Sequence, residues 1–174
     1  MDISNGTGIG ISLFVQGCHF HCKGCFNQET WDFNGGKEWT TEIENQFIKL
    51  ANRSYIKRIS FLGGEPLADE NIEIVFRVIQ KLKSLYPEKQ IWIYTGYTWE
   101  NIINLKYQEE SVNKTADLSR LMAVRLADVV ADGQFKIEQQ DINHKKALWV
   151  GSLNQRVIDV KKSFDTDNVV LYSG

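Results

Sequence analysis

The sequence predicts an α/β fold, a single domain over residues 1–174 built as a partial, open (β/α) barrel of about five or six units. Three observations predict it. Short apolar runs alternate with amphipathic helical stretches, the pattern of parallel βαβ units. Loops rich in Cys, Gly and Asp follow the ends of those runs, where such sheets bind ligands. With 174 residues, the chain is too short for a closed eight-unit barrel, which needs roughly 250.

Each element has its own signal. Ile9 to Val15 reads as a buried strand running straight into a cysteine-bearing loop. Thr41-Glu-Ile-Glu44 has capping-box spacing, and Ile43, Phe47, Leu50 and Ala51 follow at helical intervals. Arg58 to Leu62 is a short strand stopped by Gly63-Gly64. Ile72, Val75, Phe76, Ile79, Leu82 and Tyr86 mark one face of an amphipathic helix. Gln90 to Thr95 is a further strand, and Thr98 to Leu105 a short helix. Tyr107 to Ser119 is polar and ambiguous, and Lys106 to Arg120 is expected to be a surface insertion. Ala127 to Ala131 reads as a strand ending at Asp132-Gly133, and Arg156 to Val160 as a last strand.

Composition excludes several classes. Hydrophobic residues at 43% and charged residues at 24% are ordinary for a globular protein. A net charge of -2 argues against a broad nucleic-acid-binding face. No apolar run approaches the ~20 residues of a membrane span. No basic segment followed by an apolar one opens the chain, so a cytoplasmic protein is expected.

The three cysteines, Cys18, Cys22 and Cys25, all lie within one short loop. An odd number without an export signal argues against a disulfide framework. Thiolates this close suit one inorganic centre, either zinc or an iron–sulfur cluster. A Cys3His zinc site would recruit His19 or His21, because structural zinc closes with four ligands. A [4Fe–4S] cluster held by three cysteines would leave its fourth iron open to a substrate or cofactor.

The spacing Cys18-x3-Cys22-x2-Cys25 after a first strand resembles the radical S-adenosylmethionine (SAM) superfamily. Gly17-Cys-His-Phe-His-Cys-Lys-Gly-Cys-Phe-Asn27 and Thr30-Trp-Asp-Phe-Asn-Gly-Gly36 narrow the resemblance. With Gly63-Gly-Glu-Pro-Leu67, Ile91-Trp-Ile-Tyr-Thr-Gly-Tyr97, Asp132-Gly133 and Gly151-Ser-Leu-Asn-Gln-Arg-Val-Ile-Asp159, they resemble the activating enzymes of anaerobic (class III) ribonucleoside-triphosphate reductases. These blocks cover most of the chain.

The resemblance implies a fold of the radical SAM type and a reaction. A reduced [4Fe–4S] cluster on Cys18, Cys22 and Cys25 cleaves SAM to methionine and a 5′-deoxyadenosyl radical. That radical takes hydrogen from a glycine of the reductase's large subunit. The electron comes from a low-potential donor such as a flavodoxin. Neither nucleic acid nor membrane is expected as a partner. Three alternatives stay open: an activase of another glycyl-radical enzyme such as pyruvate formate-lyase, a radical SAM enzyme acting on a small molecule, or a zinc-binding interaction module.

The resemblance also assigns cofactor contacts. The Gly63-Gly-Glu-Pro66 stretch resembles the superfamily motif whose backbone meets the SAM amino group, with Gly64 as the contact and Gly63 and Glu65 in support. By composition alone the same stretch is a tight turn. Gly24 and Phe26 are placed against the adenine, Thr95 and Tyr97 along the pocket, and Asp132 against the SAM ammonium. The plainer readings are core packing for Phe26 and a turn for Asp132. Asn154-Gln-Arg156 either braces the barrel or contacts the partner. His144 reads as surface, and Gly6-Thr-Gly-Ile-Gly10 precedes a strand, the wrong context for a dinucleotide loop.

Overall fold

The structure, a computed structural model, describes residues 1–104, 113–141 and 148–174. Its centre is one five-stranded sheet in the order β1-β2-β3-β4-β5, formed by β1 (Gly10–Val15), β2 (Arg58–Gly63), β3 (Gln90–Tyr94), β4 (Val129–Asp132) and β5 (Arg156–Asp159). The first four strands are mutually parallel. They are joined through α1 (Thr41–Ala51), α2 (Asp69–Leu85), and the pair α3 (Trp99–Ile103) and α4 (Lys114–Leu126).

Strand order that never reverses, combined with right-handed crossovers, stacks every crossover helix on one face of the sheet. That face carries the main core, in which Ile11, Ile59, Phe61, Ile91, Ile93 and Val130 pack on the helices. The alternate residues point the other way and line a lumen, as in a barrel wall. Among the described residues β1 and β5 form the two edges and do not pair with each other, so the barrel is open.

β5 departs from the expected pattern. It runs antiparallel to β4, with Asp132 opposite Arg156 and Val129 opposite Asp159. No helix separates β4 from β5, only loop and a 3-10 turn at Ile137–Gln139 among the described residues. An antiparallel neighbour needs no helical crossover. The sheet therefore holds four parallel strands and an antiparallel fifth, not five or six βα units.

Helix ends follow ordinary chemistry, with one register change. The N-cap of α1 is Thr40, whose hydroxyl accepts from the Ile43 N–H at 3.3 Å, so the capping residue lies one position before the expected Thr41. Glu44 does not close a capping box. It accepts from Trp39 Nε1, Arg77 and Lys81.

The described end of the region expected to be a surface insertion belongs to a helix that packs on the core. The region's first part, residues 106–112, lies outside the described residues. From Lys114 it is α4, which packs along α2 and buries Ala116, Arg120, Leu121, Ala123 and Val124. Arg120 explains the polar reading. Its guanidinium donates to Leu67 O and Asp117, pairs with Asp69, and lies 5.3 Å from the centre of the Tyr97 ring. A charge partnered at each of its nitrogens can be buried mid-face.

The N-terminal segment floors the lumen. Arg58, fully buried, donates to Asp2 and to the carbonyls of Asp2, Asn5 and Thr7. Among the described residues no helix is long and apolar enough to cross a membrane.

Candidate functional site

A cavity of about 620 Å³ opens at the carboxyl ends of the parallel strands. Cys18, Cys22 and Cys25 all line it, together with Gly63, Gly64, Glu65 and Thr95 from the loops after β2 and β3. Its volume falls in the usual range for small-molecule sites.

The cysteine loop is rooted by backbone pairing. Gly17 N–H donates to Thr30 O at 2.8 Å and Cys18 N–H to Trp31 O at 3.1 Å. Glu65 N–H donates to Gly17 O at 2.7 Å, and Gly64 N–H to Val15 O at 2.8 Å. The loop after β2 thus grips the start of the cysteine loop. Gly63 sits at φ +107°, a conformation a side chain would strain. Gly64 has a different constraint. A Cβ there would lie 2.9 Å from Thr30 O and closer still to Gly17 O. The glycine is required by the approach of the cysteine loop's own backbone, so a side chain there would press on that loop.

Glu65 is the polar hub. It is 1% exposed. Its Oε1 accepts from Leu67 N–H and the Thr95 hydroxyl, both at 2.8 Å, and its Oε2 from Gly96 N–H at 2.7 Å. These bonds tie the loop after β2 to the loop after β3. Burial pushes the carboxyl up to about 7 in spite of its three donors.

Burial also pushes the Cys18 and Cys22 thiols up, with the negative charge of Glu65 adding to both. Free of metal, these thiols hold their protons, and binding a cation releases them. The donor set fits an iron–sulfur cluster: every thiol of the chain faces one cavity. It does not assemble a Cys3His zinc site. His19 contacts Glu70 at 3.1 Å and packs on Phe33, while His21 packs on Trp31, and neither lines the cavity. Among the described residues no group of three or more His, Cys, Asp and Glu side chains is gathered as a single metal ion requires.

The remaining expected contacts divide. Phe26 lines the cavity mouth, 63% exposed, with its ring 5.1 Å from that of Phe135. Thr95 lines the cavity, but its hydroxyl is committed to Glu65. Gly24 lies off the cavity wall and faces Ile137. Tyr97 is also off the wall, packed on Phe20 and under Arg120.

Asp132 lies apart from the expected contacts. Strand alternation sends Ala131 into the cavity and turns Asp132 to the other face. There its carboxylate accepts from Trp99 N–H at 2.8 Å and is bound by the Arg156 guanidinium. Both oxygens accept from protein donors, and Asp132 is not among the residues that line the cavity.

The Asn154-Gln-Arg156 block braces the same corner. Arg156 also binds Glu100 through two bonds of 2.9 and 2.8 Å. Gln155 donates to Gly133 O and accepts from Gly151 and Ser152 N–H, and Asn154 donates to Gln134 O. Among the cavity residues that sequence reasoning missed are Trp31 and Tyr94. Both line the wall, and each keeps a buried polar atom without a partner among the described residues, Trp31 Nε1 and the Tyr94 hydroxyl. Tyr94 alternates with the core-facing Ile93, so strand periodicity carried the signal.

Comparison with known proteins sets the class. Residues 4–158 match the family described as a 4Fe-4S single cluster domain, so the three-thiol cavity lies in a domain of the iron–sulfur type. The chain is 35% identical over 159 residues to the anaerobic ribonucleoside-triphosphate reductase-activating protein of Escherichia coli (strain K12), covering 90% of this chain and 92% of that one. It is 36% identical over 157 residues to the protein of that name from Vibrio cholerae, covering 89% and 90%. It is 33% identical over 156 residues to that of Enterobacteria phage T4, covering 90% and 87%. The chain belongs to the family of anaerobic ribonucleoside-triphosphate reductase-activating proteins. No solved structure matches it.

Proposed function

We propose that the chain is a radical SAM activase that installs a glycyl radical on an anaerobic ribonucleoside-triphosphate reductase. The observation that carries this reading is the convergence of Cys18, Cys22 and Cys25 on one cavity, in a chain whose relatives are named for activating that reductase. Cys18, Cys22 and Cys25 would hold a [4Fe–4S] cluster as thiolates, releasing protons as they bind. When bound, the reduced cluster supplies the electron that splits SAM into methionine and a 5′-deoxyadenosyl radical able to take hydrogen from a partner glycine.

The protein's own share is positioning and shielding. The Gly63–Glu65 loop holds the root of the cysteine loop, and Glu65 fixes the Thr95–Gly96 loop beside it. The Gly63-Gly64 backbone and the Phe26 ring form wall available to SAM. The Arg58–Asp2 floor closes the lumen below. A low-potential donor such as a flavodoxin would deliver the electron. The test is anaerobic reconstitution with iron and sulfide, followed by reduction with SAM present. About four irons per chain and equimolar methionine and 5′-deoxyadenosine support the reading. Stoichiometric zinc with no SAM cleavage contradicts it.

A further inference from the structure

We propose that the free edge of β1 is the docking strand for the polypeptide that this protein activates, which adds there as an extended segment; this rests on the reading that the substrate is another protein. Backbone direction alternates along β1. Ile9 O and Val15 O accept from Lys57 and Gly64, so the odd-numbered residues face β2. Gly10 faces outward and exchanges two 2.8 Å bonds with Asp2. By the same alternation the N–H and C=O of Ser12 and Phe14 point outward, and among the described residues these groups have no hydrogen-bond partner. The antiparallel bridge from Asp2 shows that this edge accepts an added backbone and leaves its next two rungs open.

The surroundings select the occupant. A groove of about 500 Å³ runs along this edge, walled by Phe47 and Leu50 of α1 on one side and by Met1 and Ile3 on the other. Met1, Ile3 and Phe14 are 88%, 77% and 50% exposed, unusual for large apolar side chains on one short edge. Ser4, Asn5 and Phe14 line both this groove and the cavity that holds the cysteines. A strand on Ser12 and Phe14 therefore passes the side opening of the cavity. Open backbone rungs recognise an extended backbone, whatever its side chains. A small metabolite has no use for them. The continuity of this edge with the cysteine cavity points to the chain on which that cavity acts and not to a second copy.

Hydrogen exchange at single-amide resolution tests the proposal, on the anaerobic cluster-loaded full chain with and without intact anaerobic ribonucleoside-triphosphate reductase. In the free protein, Ser12 and Phe14 amides should exchange fast while Ile11 and Leu13 are protected. In the complex, Ser12 and Phe14 should slow by about tenfold or more. Phe14→Pro, which removes only an outward N–H and is tolerated on an edge, should bind the reductase about fivefold more weakly than Phe14→Ala, the value of one hydrogen bond. A complex that forms with unchanged exchange at Ser12 and Phe14 overturns the docking strand and leaves the proposed function standing. Failure to form any complex overturns both. Protection that grows with the concentration of this chain alone makes the edge a contact between copies and overturns the proposal.

Discussion

Gly64→Ala adds one methyl group at the point where the loop after β2 meets the cysteine loop. The new Cβ would lie 2.9 Å from Thr30 O and nearer to Gly17 O, whereas real Cβ contacts essentially never fall under 3.0 Å. Both obstacles are backbone, so neither can rotate away. The loop must move, straining the bonds Glu65 N–H to Gly17 O, Gly17 N–H to Thr30 O and Gly64 N–H to Val15 O, at 2.7, 2.8 and 2.8 Å. Because the obstacle is backbone, the upper part of the overpacking range applies, and the expected loss is about 2–3 kcal/mol. In a chain of this size that lowers the melting temperature by about 4–12 °C. The displaced segment carries Cys18, so iron bound per chain should fall as well. The assay is anaerobic purification, an iron and sulfide determination, and a thermal melt beside wild type. A Gly64→Ala protein with wild-type melting and full iron would refute the reasoning.

Three further outcomes are expected. Cys18→Ala, Cys22→Ala and Cys25→Ala should each lose the cluster's visible absorption, since the chain has no fourth cysteine; a variant retaining wild-type iron content contradicts the ligand set. Asp132→Asn keeps an acceptor for Trp99 N–H but loses the charge facing Arg156, so unfolding by urea should show a loss of about 2 kcal/mol while SAM affinity, measured by equilibrium dialysis, stays within about twofold. The opposite pattern would restore Asp132 to the cofactor. Glu65 has a folded-state pKa raised from 4.5 to about 7, so its contribution to stability is fully present below pH 4.5 and is lost as pH rises through 7. Wild-type apoprotein should lose about 3 kcal/mol relative to Glu65→Gln between pH 4.5 and 8. Denaturation midpoints that stay parallel over that range would contradict it.

Much of the architecture is legible because buried parallel strands carry short, mostly apolar runs. Ile59 to Leu62 and Ile91 to Ile93 name themselves, and α2 shows its face through Ile72, Val75, Ile79 and Leu82. What hid the rest is polar residues doing interior work. Arg120 sits in the middle of the buried face of α4 and breaks its apolar stripe, so the helix reads as a surface segment. The direction of β5 leaves no local trace, because Arg156–Asp159 would read alike in either orientation. At the site, a dense thiol cluster is recognisable from spacing alone, and the structure brings all three cysteines to one wall. The roles of Gly64 and Asp132 were not legible, since each depends on a distant partner: Gly17 and Thr30 for one, Trp99 and Arg156 for the other.

The most direct measurement is an isotope transfer. The reduced, cluster-loaded protein is mixed with SAM and with anaerobic ribonucleoside-triphosphate reductase carrying deuterated glycine, and the mixture is followed by electron paramagnetic resonance and mass spectrometry. A glycyl radical on the reductase, with deuterium appearing in 5′-deoxyadenosine, is the predicted result. SAM cleavage that leaves the 5′-deoxyadenosine unlabelled and the reductase without a radical would contradict it.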